Sequence, residues 1–248
     1  MSAEMENSLV DRVALVTGGA VRLGRETVLA LAERGARVAF TYSSSREDAE
    51  SLLAELGDGH LALPCDVTEE EEVEAAFQAV DAELGRLDLL VNNAAIFEPP
   101  VDFADLTTET WRRHLDVNLT GSFLCAHRAG ERMRKQEDGG LIVNIGCAGG
   151  LRPWPKYLPY SVSKAGVLMM TQCLARALAP KVRCNAVLPG PVLLPERYDV
   201  KQADKAIART VLKRAGRPQD VVRAILFCWD SDYTTGAFIP VEGGRLLT

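Results

Sequence analysis

The stretch Thr17-Gly18-Gly19-Ala20-Val21-Arg22-Leu23-Gly24 decides how the rest of the chain is read. The residues before it, Val13–Val16, are wholly apolar, as in a strand covered on both faces. The residues after it, Leu23–Arg34, repeat their apolar positions with helical spacing. Glycines in a strand-to-helix turn let the backbone approach a pyrophosphate and let the helix pack closely on the sheet. The helix N-terminus adds free N–H groups and a partial positive charge. A plain glycine-rich turn is the other reading. Its place at the head of an alternating chain favours a dinucleotide, with Gly18, Leu23 and Gly24 as cofactor residues. Arg22 stands where a further glycine is usual and brings a cation to the phosphates.

Downstream, short β-rich runs alternate with helical patterns, which implies parallel strands joined by crossover helices. Strands are expected near Arg12–Thr17, Arg37–Tyr42, His60–Pro64, Leu87–Asn92, Leu141–Ile145, Val182–Leu188 and Phe238–Val241. The clearest helices are Leu23–Arg34, Glu69–Leu84, one long helix over Thr108–Lys135, and Tyr157–Leu178. No Pro/Gly/Ser-rich linker divides the 248 residues. The expectation is one α/β domain over 1–248: a doubly wound, Rossmann-type parallel sheet of seven strands with helices on both faces. Residues 190–215, opening on Gly190-Pro191, are expected to cover the substrate.

Composition narrows the function classes. Hydrophobic residues make up 47% and charged residues 25%, which suits a globular protein with a core of good size. A net charge of −6 argues against nucleic acid as partner. No apolar run approaches the roughly 18 residues of a membrane helix. The first seven residues, with Glu4 and Glu6, do not read as a signal peptide. Six cysteines form no CxxC pair and the three histidines show no ligand spacing, so no metal site is expected. The expected location is the cytoplasm, and the expected partner is a small molecule.

The end of the second strand chooses between the two nicotinamide cofactors. An acid there would bind the ribose hydroxyls of NAD. The chain instead reads Thr41-Tyr42-Ser43-Ser44-Ser45-Arg46. Ser43, Ser44, Ser45 and Arg46 suit the 2′-phosphate of NADP(H). Ser45 also suits a helix N-cap, and both readings can hold.

Tyr160-Ser161-Val162-Ser163-Lys164 places a phenol and an ammonium on one helical face. A cation there favours the phenolate, below the usual pKa of about 10. Such a phenol can pass a proton while a nicotinamide carries the hydride.

With these residues in order, the chain resembles the short-chain dehydrogenase/reductase family. Thr17–Gly24 matches its cofactor turn, and Asp66-Val67 its adenine-contacting pair. Asn92-Asn93-Ala94-Ala95 resembles the segment after its fourth strand. Pro189-Gly190 resembles the pair beside the nicotinamide. The resemblance implies that Asn93, Ala94, Pro189 and Gly190 contact the cofactor. It further implies that Tyr160 is the general acid and that Lys164 tunes it and holds the ribose. Asn118 would position a water that links Lys164 to solvent. It also implies a homo-oligomer, tetramer or dimer, built through the Thr108–Lys135 and Tyr157–Leu178 helices.

The departure is Cys147, where the family carries a substrate-binding serine. A thiol is a weaker donor than a hydroxyl. Three readings stand: a working thiol, a weakened site, or a redox-sensitive residue. Arg22 and Phe97 resemble features of the pteridine reductases, where an aromatic sandwiches a flat pterin; those enzymes carry aspartate at the place of Cys147. Phe97 is otherwise a packed loop aromatic. Trp154, in Arg152–Pro159, forms a pocket wall or a rigid packed loop. The function expected is NADPH-dependent reduction of a carbonyl or pterin-type C=N bond. The alternatives are a 3-oxoacyl-thioester or other carbonyl reductase of the same fold, and a non-catalytic NADP-binding or redox-sensing protein.

Overall fold

In the computed structural model, which describes residues 9–248, seven strands form one parallel sheet. They are β1 (Val13–Val16), β2 (Arg37–Tyr42), β3 (Leu61–Pro64), β4 (Leu89–Asn92), β5 (Gly140–Ile145), β6 (Val182–Pro189) and β7 (Phe238–Val241). The spatial order is β3-β2-β1-β4-β5-β6-β7. Every neighbouring pair is parallel, Val13 facing Arg37 across β1 and β2, and Leu15 facing Leu90 across β1 and β4. The reading of residues 1–7 lies outside the described residues.

Helices pack on both faces. They are α1 (Arg22–Glu33), α2 (Arg46–Leu56), α3 (Glu70–Leu84), α4 (Thr108–Leu115), α5 (Gly121–Met133), α6 (Leu158–Leu178), α7 (Val200–Ala208) and α8 (Pro218–Asp230). Successive strand side chains point to opposite faces. Ala14 and Val16 therefore join Val28, Leu31 and Ile225 beneath α1 and α8. Val13 and Leu15 join Phe77, Val80 and Ala129 beneath α3 and α5. This is why Val-Ala-Leu-Val must be apolar at every position rather than at alternate ones.

The long helix expected over Thr108–Lys135 is interrupted. Asp116–Thr120 winds as a wider π-type turn between α4 and α5, and the helix ends at Met133. Such a turn inserts one extra residue and is frequent at functional sites. Asn118 sits in it, with no exposed surface. Residues 190–215, expected to cover the substrate, include the helix α7. Asp199 and Gln202 close a reciprocal N-terminal cap on it, and no α7 residue is buried.

The two ends of the sheet differ. At the amino end Asp88, 2% exposed, takes the Val13 N–H at 2.9 Å and a two-pronged Arg86 guanidinium at 2.5 and 2.8 Å. Arg12 joins at 3.1 Å and also reaches Asp138 at 2.7 Å. At the carboxyl end, the chain leaves β1 and β4 in opposite directions. That divergence opens a crevice where ligands bind in folds of this kind.

Candidate active site

The turn after β1 is built for close approach. Gly18 has φ +59, in the left-handed region. A Cβ at Gly24 would overlap the Gly18 carbonyl oxygen and lie 2.8 Å from Asn93 Nδ2 and 2.9 Å from Gly19 Cα. Asn93 holds this turn: its Nδ2 donates to the Thr17 and Gly18 carbonyls at 3.0 and 2.9 Å. The Thr17 hydroxyl accepts the Asn93 and Ala94 N–H groups at 3.0 Å each. Helix α1 opens without a capping side chain and without an acid in its first turn. Its leading N–H groups have no intrahelical partner. A short glycine approach and an uncapped, acid-free N-terminus fit a pyrophosphate.

Arg22 departs from the sequence reading. Its φ is +53, a glycine-like conformation. Its guanidinium turns away from the helix axis and donates to the Leu193 and Leu194 carbonyls at 2.7 and 3.1 Å. Glu196 lies 3.6 Å away. Arg22 thus clips the turn to the segment after β6 rather than standing free for phosphates.

At the end of β2, Ser43 and Ser44 are exposed and Ser45 is half-buried at the N-cap of α2. The Ser45 side chain makes no capping bond, so the capping half of its reading is not realised. Arg46 is exposed and its Nε donates to Glu50 at 2.9 Å. Past β3, Thr68 donates to the Asp66 carboxylate through its N–H and hydroxyl, at 2.9 and 2.8 Å. Val67 is buried against Gly121 of α5.

The catalytic candidates converge where α6 meets the carboxyl end of β5. Lys164, 3% exposed, lies one turn along α6 from Tyr160 and donates to the Ile145 carbonyl at 2.8 Å. Burial pulls its pKa down to about 8, partly offset by Cys147. Tyr160 faces the other way from the sequence expectation. Desolvation and a hydrogen-bonding Cys147 push its pKa well above the usual value, with Arg245 opposing. The depression expected from Lys164 is not what this arrangement gives: burial outweighs the cations, and Lys164 itself donates to Ile145. Cys147 is buried, in extended backbone, and its sulfur accepts the Gly149 N–H at 3.4 Å.

Asn118 is committed on both sides. Its Oδ1 accepts the Ile96 N–H at 2.8 Å, and its Nδ2 donates to the Ile96 carbonyl and the Ser163 hydroxyl, each at 3.1 Å. Ser163 in turn donates to the Tyr160 carbonyl at 2.8 Å. The side chain therefore fixes the start of α6 against the loop after β4. Sequence reasoning missed Ser163. It also missed the buried ladder in which Asn92 donates to Asn144 and Asn144 to Thr171, both at 2.9 Å. Only the register of β4 on β5 brings these residues together.

A cleft of about 1620 Å³ opens over these groups and includes Phe97, Trp154, Tyr157, Pro189 and Gly190 in its wall. Phe97 stacks on Tyr157 at 4.9 Å and meets Tyr160 edge-on at 4.7 Å. The Arg197 guanidinium sits 5.3 Å from its centroid. Trp154 lies parallel to Tyr160 at 6.3 Å, under Arg245 at 4.6 Å. Tyr157, Arg197 and Arg245 were not foreseen, since no local motif marks them. Among the described residues, no group of three or more His, Cys, Asp or Glu is arranged to hold a metal ion. None of their helices is long and apolar enough to cross a membrane. All six cysteines are free, and Cys173 is the exposed one.

A parallel seven-stranded sheet in this order, with the glycine turn at its switch point and Tyr160 and Lys164 on α6, is the doubly wound, Rossmann-type layout. A family model described as enoyl-(acyl carrier protein) reductase matches residues 19–245. The 3-oxoacyl-[acyl-carrier-protein] reductase of Bos taurus is 35% identical, over 96% of this chain and all of its own length. The enzyme of the same name from Synechocystis is 33% identical, over 97% and 99%. The crystal structure of gox2181 superposes with a TM-score of 0.92 at 34% identity, covering 100% of both chains. The chain belongs to the short-chain dehydrogenase/reductase family of oxidoreductases.

Proposed function

We propose that the protein reduces a carbonyl with hydride from NADPH, and that 3-oxoacyl thioesters are the substrate class to test first. The observation that carries the reading is half-buried Tyr160, one helical turn from Lys164, in the wall of the cleft that also meets the glycine turn at Arg22 and Leu23. A bound nicotinamide supplies the hydride. A phenol already holds its proton at neutral pH, and burial makes that of Tyr160 harder still to lose. Tyr160 thus has a proton to donate to the developing alkoxide. Cys147, beside Tyr160 in the cleft wall, offers the carbonyl oxygen a second, weaker donor. Lys164 and Asn118 hold the start of α6, and the Lys164 ammonium is the group suited to the nicotinamide ribose.

The names of the relatives support the thioester alternative over pterin reduction. So does Phe97, whose ring is already stacked on Tyr157. The serine run at the end of β2, with its uncommitted Ser45 hydroxyl, supports NADPH over NADH. Arg46 would exchange Glu50 for the 2′-phosphate. Exposed Phe123 on α5, and Val162 and Met169 on α6, support a homo-oligomer, dimer or tetramer, joined through those helices.

The test is NADPH oxidation with 3-oxoacyl thioesters, simple ketones and a pterin, repeated with NADH. Turnover of the thioester, abolished at least about a hundredfold by Tyr160→Phe while NADPH still binds, supports the reading. Retained activity in Tyr160→Phe, or equal use of NADH, overturns the corresponding part.

A further inference from the structure

The cleft wall is strongly cationic in a chain of net charge −6. Nine of its lining residues are lysine or arginine, and Glu196 is the one acidic side chain among them. Glu196 is already matched with Arg22. Lys156 is matched with Asp102 at 2.9 Å. Among the described residues, no ion pair joins Arg152, Arg209 or Arg245 to a carboxylate. Yet these three gather at one end of the cleft. Arg152 Nη1 donates to the Arg245 carbonyl at 3.2 Å. The Thr248 hydroxyl bridges the Arg209 and Arg245 carbonyls at 2.7 and 3.2 Å.

These contacts bring the three residues together through their backbone, on one cleft wall, and the half-buried Arg245 has lost water. Its guanidinium pKa is lowered, first by desolvation and then by Arg209 and Arg152. An arrangement of this kind is relieved by an anion. Arginine forks match oxyanions such as carboxylate or phosphate with two parallel bonds. The spacing limits what the anion belongs to. Arg245 lies over Trp154, and Trp154 is stacked beside Tyr160, so the guanidinium is within about 11 Å of the Tyr160 ring. A carrier-borne phosphate at the far end of a pantetheine arm would lie well beyond this when its carbonyl is at Tyr160.

We propose that Arg245, with Arg152 and Arg209, forms an oxyanion subsite, and that the preferred substrate is a short oxo compound bearing its own carboxylate or phosphate a few bonds from the reacting carbonyl. This rests on the reading of the cleft as a carbonyl-reducing site and sets short anionic oxo compounds against carrier-bound thioesters as its substrate. Trp154 supplies the floor that keeps Arg245 extended over the cleft, through a guanidinium–ring contact. The carbonyl end then meets Tyr160 while the anionic end is held by the arginines.

The experiment compares a homologous series of oxo acids with their methyl esters, and with phosphorylated oxo compounds, in NADPH oxidation. The acid or the phosphate should exceed the ester by about tenfold or more in kcat/KM, since one charge-assisted contact is at stake. Which of the two leads identifies the oxyanion. In Arg245→Gln, and separately in Arg152→Gln, the ratio of acid to ester should fall toward one. Calorimetric titration of the protein with the same oxo acids runs alongside and needs no turnover. Salt-sensitive binding that Arg245→Gln weakens supports the subsite even if no carbonyl compound is reduced, an outcome that would sink the proposed function alone. Equal rates for acids and esters, or a preference untouched in both variants, overturns the subsite and leaves carbonyl reduction standing.

Discussion

Replacing Gly24 with alanine tests the cofactor turn at its tightest point. The added methyl overlaps the Gly18 carbonyl oxygen and crowds Asn93 Nδ2 and Gly19 Cα, at 2.8 and 2.9 Å. Two of these three atoms are backbone, so no flexible side chain can step aside. The Gly18 carbonyl must move, and it would give up its 2.9 Å bond from Asn93. Overpacking of a tight site costs about 1–3 kcal/mol, and the lost bond about 1 kcal/mol more. A total of about 2–4 kcal/mol lowers the melting temperature of a chain of this length by roughly 4–16 °C. The fold should survive, because this cost is smaller than the roughly 5–15 kcal/mol by which domains are usually stable. NADPH affinity should fall by more than about tenfold, since the same displaced carbonyl and N–H groups frame the phosphate position. Calorimetric melting and NADPH titration measure the two effects on one sample. If Gly24→Ala melts within about 1 °C of the parent and binds NADPH equally well, the turn is not the phosphate cradle argued here.

Other outcomes follow from the same geometry. Lys164, with a pKa lowered to about 8, is charged below that pH and neutral above it, so NADPH affinity should decline as pH rises through about 8. Lys164→Met should bind weakly with a flat profile; a profile for the parent that is flat from pH 7 to 9 on the order of a single affinity would contradict the assignment. Cys147→Ser should hold or raise kcat on simple carbonyls, as a hydroxyl is the better donor, and a loss of rate would show that the thiol is specifically required. Asp88→Ala leaves the buried Val13 N–H without its acceptor and two part-exposed arginines with one carboxylate fewer, and should cost about 2–3 kcal/mol in chemical unfolding while kcat holds. A stability change under about 1 kcal/mol would show that Asp138 already suffices for the two arginines.

The sheet was legible because its signal is local. Val13–Val16 must be apolar at every position to sit between two helical layers, and a short window displays that. The turn was legible for the same reason, since its glycines answer a purely local demand for close approach. What the sequence hid is long-range. The π-type turn at Asp116–Thr120 adds one residue to a helix without disturbing its apolar repeat enough to be seen. Arg22 was read as a phosphate ligand from its neighbours in sequence, but its partners lie 171 and 172 residues away. Lys164 was paired with Tyr160 by helical spacing, and the choice of Ile145 as its acceptor depends on where β5 ends. Arg245 carries no motif at all. Only the pairing of β7 beside β6 brings the final residues back over Trp154.

The difference between the ends of the sheet gives the molecule a foot and a mouth. Arg12, Arg86, Asp88 and Asp138 gather at the amino ends of β1, β4 and β5. The crevice, the cleft and the segment after β6 all open at the carboxyl ends. A support, a tag or a crosslink attached at the foot therefore leaves the mouth facing solution. Cys173, exposed on α6, offers no such choice, because α6 also carries Tyr160 and Lys164. Immobilisation through a new cysteine beside Asp138, with Cys173 replaced, would orient every molecule with its cleft outward.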